Sequence, residues 1–261
     1  MIIKNNINPV VPSSRKNFFL NNSIYFNQST SVTEPVSGKD VLTECYNYLS
    51  HINDATAATR INCRALTLAK EIINTIQNEI VLIKKGLLPE NFYSNIAIKL
   101  IESSDDNDRE LIIIHLKQTV LILKSAGIII TEKNKASISG ETVNDDVLYN
   151  VMFNSFWNIT AWDKIFPSNE ESARELHRNR NIFKDLILKS GKSSISKTAN
   201  EFFDLTGFAD NNDMFHISFI DFYLITWLSH FGIIKLSSEN LNSPVLIELT
   251  ERGNLLLNSI S

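Results

Sequence analysis

Twice along this 261-residue chain a long apolar stretch stops at a glycine, passes into a short extended run, turns through polar residues and returns as a second short strand. In the first instance, LKSAGIIITEKNKASIS, Gly127 closes a helix and Ile128, Ile129 and Ile130 favour extended backbone. Glu132 to Lys135 supply the turn, and Ala136 to Ser139 return. In the second, WLSHFGIIKLSSENLNSPVLIELTERGNLLLNSI, Gly232 is followed by a strand at 233–236 and a polar loop to Pro244. A strand at 245–249 comes next, and Thr250 caps a closing helix. AGIII and FGIIK, each after a long apolar helix, suggest two related units.

The rest of the chain is predicted to be helical. Only 8 glycines and 6 prolines are available to make turns, while 43% of residues are hydrophobic and 21% charged, the balance of a globular chain. Helices are expected at 40–58, 64–84, 89–103, 107–125, 145–160, 169–189, 194–205 and 214–231. In the second of these, Ala69, Ile72, Ile73, Ile76, Ile80 and Ile83 follow the three-and-four spacing of one helix face. Asp105, Asp106 and Asp108 suit the N-terminus of the fourth, and Ser168 with Glu171 forms a capping box for 169–189. Residues 1–39, rich in Asn, Ser, Thr and Pro, read as a flexible N-terminal arm ahead of units at 40–143 and 144–261.

The segment LSHFGIIKL…VLIELTERGNLLL, within 228–257, resembles the wing and closing helix of bacterial winged-helix proteins, where a glycine, an apolar strand and then Leu-Thr-Glu-x-Gly are common. Residues 148–236 are similar to a group of uncharacterised bacterial proteins with an aromatic- and Asn-rich helix ahead of a terminal winged helix, from which no activity carries over. The resemblance implies a mainly α fold of two winged-helix-like units with short β-hairpin wings. Nucleic-acid binding in that family usually sets the third helix in the major groove with basic residues nearby.

Charge argues against that use here. The chain carries net charge −4, and 198–234 contains no Lys or Arg but five acids: Glu201, Asp204, Asp210, Asp213 and Asp221. Phosphate contacts need the opposite sign. Helix 214–231 is apolar around its whole circumference, so it is either a central core helix or a partner interface. Phe215, Phe219, Phe222, Tyr223 and Trp227 are the candidate interface residues. The basic stretch is 174–197. Its Arg174, Arg178, Arg180, Lys184, Lys189 and Lys192 lie opposite an apolar face of Leu176, Ile182, Phe183, Leu186 and Ile187. They form either a solvated face or a nucleic-acid or anion contact.

No catalytic residues are assigned, and no metal or cofactor is expected. The two cysteines, Cys45 and Cys63, form no ligand pair, and His51, His115, His177, His216 and His230 sit in no metal-binding motif. LKSGKSS at 188–194 lacks the first glycine of a phosphate-binding loop, its place being taken by Leu186. The absence of a long apolar run predicts no membrane span. The N-terminus lacks a secretory h-region, so a cytoplasmic location is expected, with export by a signal of another kind left open. The leading expectation is a non-enzymatic protein-interaction or adaptor module with a protein partner or a homodimer. The alternative is a DNA-binding transcriptional regulator using its wings and the basic helix 174–192, with nucleic acid disfavoured on charge.

Overall fold

The computed structural model describes residues 63–102, 109–139, 144–166, 170–207, 220, 224–237 and 244–260. The expected arm at 1–39 and helix at 40–58 lie outside these residues. The described chain is mainly helical with two small antiparallel sheets.

Helix α1 (Arg64–Asn78) buries Ala65, Leu66, Leu68, Ala69, Ile72 and Ile76, of which Ala69, Ile72 and Ile76 belong to the face anticipated from spacing, while Ile80 and Ile83 lie beyond the helix. It stops six residues short of the expected end. Glu79 is extended, and Ile80 to Ile83 run alongside a later hairpin, bridged to it at Leu82. The Ile83 amide donates to the Asn134 carbonyl at 2.8 Å, and the Ala136 amide donates to the Val81 carbonyl at 2.9 Å. Period-3.6 and period-2 patterns both accommodate Ile-Val-Leu-Ile. β-branched stiffness together with the bonds to the hairpin decides for the extended form.

Helices α2 (Glu90–Glu102) and α3 (Arg109–Ser125) follow, then β1 (Ile129–Glu132) and β2 (Lys135–Ile138). These strands pair antiparallel from Ile129↔Ile138 to Glu132↔Lys135, and Leu82 bridges Lys135 on the far side of β2. Next come α4 (Asp145–Asn154), a π-helical turn (Ser155–Ile159), α5 (Trp162–Ile165), α6 (Glu170–Arg178) and α7 (Arg180–Ser190). The expected single helix 169–189 is thus two, interrupted at Asn179. There the backbone leaves helical geometry, and the Asn179 side chain donates to the Glu175 carbonyl at 3.1 Å. Asn readily makes such local backbone bonds, a competition that disfavours it inside helices.

The chain then forms β3 (Lys192–Ser194), α8 (Ile195–Thr206), α9 (Thr226–His230), β4 (Ile234–Ser237), β5 (Leu246–Leu249) and α10 (Glu251–Ser259). The second sheet has the order β3-β5-β4. Among the described elements the two halves run in a similar order, an isolated bridge at Leu82 beside β2 in the first half standing where β3 lies beside β5 in the second. The strand β3 was not anticipated from the sequence.

The Leu-Thr-Glu-x-Gly run has a structural cause. The Thr250 hydroxyl accepts from the Gly253 amide at 2.9 Å, capping α10, and lies 2.8 Å from the Gly232 carbonyl. The Thr250 amide donates to the Ile233 carbonyl at 2.9 Å. The first turn of α10 is thereby drawn onto the start of β4. A Cβ on Gly253 would collide with the Ile233 carbonyl oxygen and sit 2.8 Å from the carbonyl carbon. Only glycine fits this approach.

One continuous apolar core joins both halves. The Tyr149 hydroxyl on α4 donates to the Phe231 carbonyl at 2.7 Å, and Lys70 on α1 pairs with Asp145 at 3.0 Å.

Candidate functional site

The third helix of each half lies in the interior, and the two helices meet. On α3, Ile112, Leu116, Val120, Ile122 and Leu123 are buried. So are Trp227 and Leu228 of α9, with Leu224 and Ile225 just ahead of it. The polar groups of these helices satisfy one another. The Trp227 indole donates to Gln118 Oε1 at 3.0 Å, and the Gln118 amide donates to the Ile165 carbonyl at 3.2 Å. His230 Nε2 and His115 Nδ1 are 3.2 Å apart, with ring planes at 86°. Burial, then the neighbouring His115 and Arg64, pushes the His230 imidazole down to about 3. It is therefore neutral near pH 7, one ring donating and the other accepting.

Beside this contact stands an aromatic column. Phe156 stacks on Trp227 at 5.6 Å and on Trp162 at 5.1 Å, and Trp162 stacks on His177 at 4.8 Å. The π turn makes the column possible by turning carbonyls towards side chains. The Trp162 indole donates to the Phe156 carbonyl at 2.8 Å, and His177 Nε2 lies 3.1 Å from the Trp157 carbonyl. Burial and the adjacent Arg180 push the His177 imidazole down to about 4, so the neutral ring carries its proton on Nε2 and donates to that carbonyl. π turns recur at functional sites, which makes this region worth marking.

A polar network continues from the turn. Asn158 Nδ2 donates to Asn154 Oδ1 at 2.9 Å. Arg180 donates to the His177 carbonyl at 2.7 Å and reaches Asn158 Oδ1 at 3.4 Å. Asn154 Nδ2, Trp157 Nε1, Arg180 Nε and Asn181 Oδ1 are buried without a protein partner. Sequence reasoning did not single out Asn154 and Asn158. Two asparagines one turn apart among buried aromatics were the available signal. Asn154 Nδ2, Trp157 Nε1 and Arg180 Nε can donate hydrogen bonds, Asn181 Oδ1 can accept one, and Arg180 presents a guanidinium charge. Among the described residues no group of three His, Cys, Asp or Glu side chains is placed to hold a metal.

The sequence-predicted site residues are not brought together. Phe215, Phe219, Phe222 and Tyr223 lie outside the described residues. Trp227 is 1% exposed, which places it in the core, the other of the two roles open to an all-round apolar helix. The basic residues are mostly engaged within the fold. Arg174 pairs with Asp163 at 3.1 Å and Glu170 at 3.5 Å, and Arg178 pairs with Glu175. Lys184 donates to the Ile260 carbonyl at 2.8 Å at the end of α10, and Lys192 sits 3.5 Å from Glu248. Lys189 is exposed. The half-buried Cys63 thiol is pushed up by burial, which keeps it in the unreactive form.

No helix among the described residues is long and apolar enough to cross a membrane. No family model, no curated protein and no solved structure matches the chain.

Proposed function

We propose that the chain is a non-enzymatic protein-interaction module built on two winged-helix-like units, 40–143 and 144–261. The similar order of described elements in the two halves supports the winged-helix assignment, as does the sheet order β3-β5-β4 beside the β1-β2 hairpin that Leu82 bridges at Lys135. The observation that carries the functional choice is the mutual burial of the two third helices through His115, Gln118, Trp227 and His230. A winged helix reads DNA by laying its third helix in the major groove. Here the described part of that helix in the C-terminal unit and one face of α3 are buried against each other, and the basic residues of α6 and α7 are largely paired within the protein.

Fluorescence anisotropy with a random-sequence DNA duplex at low salt tests this. Counterion release makes even non-specific binding detectable there if a phosphate-contacting face exists. The expected result is no binding, unchanged by Arg174→Glu, Arg178→Glu and Lys184→Glu. Salt-sensitive binding that these three substitutions abolish would replace the proposal with a DNA-binding regulator.

A further inference from the structure

The segment at 80–83, bridged to β2 at Leu82, has one satisfied edge and, among the described residues, one open edge. Its inner edge is bonded to the hairpin through Val81 and Ile83, whose side chains are buried. Backbone direction alternates along a strand, so the amides and carbonyls of Ile80 and Leu82 face away from β2. They hold no hydrogen bond among the described residues. Their side chains are 77% and 62% exposed, and Leu87, in the turn that follows, is 69% exposed. Folded proteins normally blunt such an edge with a bulge, a proline or an inward charge, and an apolar open edge is the usual receptor for an added strand.

On that protein-interaction reading, we infer that this edge pairs antiparallel with the same edge of a second copy of the chain. The pattern of free groups is self-complementary. With a two-fold axis at Val81, Ile80 of each copy lies opposite Leu82 of the other. The two amides and two carbonyls on each side then close four hydrogen bonds, as an antiparallel bonded pair requires. Each exposed Ile80 side chain meets an exposed Leu82, so the apolar strip of one copy covers that of the other. Charge selects the same orientation. The exposed Glu79 stands at one end of the strand and the exposed Lys84 and Lys85 at the other, so antiparallel approach brings acid to base. Parallel approach would set like charges together. Lys84 cannot extend the pairing, because its amide and carbonyl are taken by Leu87 at 3.0 Å each. The contact is therefore short and the dimer weak, on the scale of transient rather than obligate interfaces.

The test combines sedimentation equilibrium with residue-resolved amide hydrogen exchange on the full chain, from about 10 μM to about 1 mM protein. The expected result is a mass that rises towards the dimer with concentration, with Ile80 and Leu82 amide exchange slowing about tenfold or more in parallel. Leu82→Lys should abolish both effects, as should Ile80→Lys. Both sites are exposed, so the thermal midpoint should stay unchanged. A monomer throughout with fast exchange at both amides would overturn the inference. Protection independent of concentration would assign the edge to another part of the same chain, and a dimer that survives both lysine variants would place the contact elsewhere. None of these outcomes bears on the absence of DNA binding, so the two proposals fail separately.

Discussion

Replacing Gly253 by alanine should destabilise the protein even though alanine is the better helix former. The added methyl would sit 2.8 Å from the Ile233 carbonyl carbon and 3.0 Å from its Cα, where ordinary contact begins at 3.4 Å, and would collide with the oxygen. The obstacle is backbone, not the end of a flexible side chain, so the first turn of α10 must retreat by more than about half an ångström. Overpacking of this kind costs about 1–3 kcal/mol. The retreat also stretches the bonds that Thr250 makes to Gly232, Ile233 and Gly253, all now between 2.8 and 3.0 Å. Weakening two of them costs about 1–2 kcal/mol more. The helix-propensity gain of about 1 kcal/mol offsets only part. A net loss of about 1–4 kcal/mol is expected, or roughly 3–12 °C in the midpoint of a calorimetric or circular-dichroism melt. The control is Asn254→Ala, exposed in the same turn, which should stay within about 0.5 kcal/mol of the parent. If Gly253→Ala melts at or above the parent temperature, the close approach of α10 to β4 is not what selects glycine.

Two further outcomes follow from the buried polar groups. His177 is pushed down to about 4 and His230 to about 3, each from 6.5, so between those values and 6.5 the unfolded chain holds more protons than the folded one. Stability should be full above pH 6.5 and fall as the medium is acidified, with His177 alone accounting for about 3 kcal/mol at 1.36 kcal/mol per pH unit. Urea midpoints that do not move between pH 7 and pH 4.5 would contradict the buried neutral imidazoles. Gln118→Leu strands the Trp227 indole and the Ile165 carbonyl in the core and should cost about 2–4 kcal/mol. Adding Trp227→Phe should then cost less than it does alone, and strict additivity in the double-mutant cycle would deny the coupling.

The elements that sequence reasoning located best are those fixed by local chemistry. Gly127 and Gly232 take positive φ at 70° and 67° where they end helices, and Thr250 caps α10 as expected. These signals depend on neighbours a few positions away. The segment at 80–83 was read as helix because its isoleucines fit both periods, and what decides between them is a hairpin fifty residues on. Part of the basic face of α6 and α7 looked available because its partner is distant: Lys184 bonds a carbonyl 76 positions away, whereas Arg174 and Arg178 pair with Glu170 and Glu175 within a turn. The polar network at the π turn left only a faint trace, since a helix and a π turn differ by one inserted residue that no residue type demands.

The absence of Lys and Arg from 224–234 and the burial of that segment have one physical cause. A guanidinium or ammonium on the packed face of Trp227 and Leu228 would be desolvated without a counter-ion, a cost of several kcal/mol that the fold escapes by placing none there. The polar side chains that remain on the facing surfaces are Gln118, His115 and His230. Gln in particular is among the side chains best suited to bidentate contact with a base edge. Each of them instead spends its capacity inside the protein: Gln118 on Trp227 and Ile165, and the two histidines on each other. Freeing either helix for a groove would orphan all of these groups at once and expose the aromatic column behind them. A partner of the proposed kind would therefore approach through the outer edges of the sheets and the outer helix faces. The segment at 80–83 is, among the described residues, one place on that outer surface where unpaired backbone and exposed apolar side chains coincide.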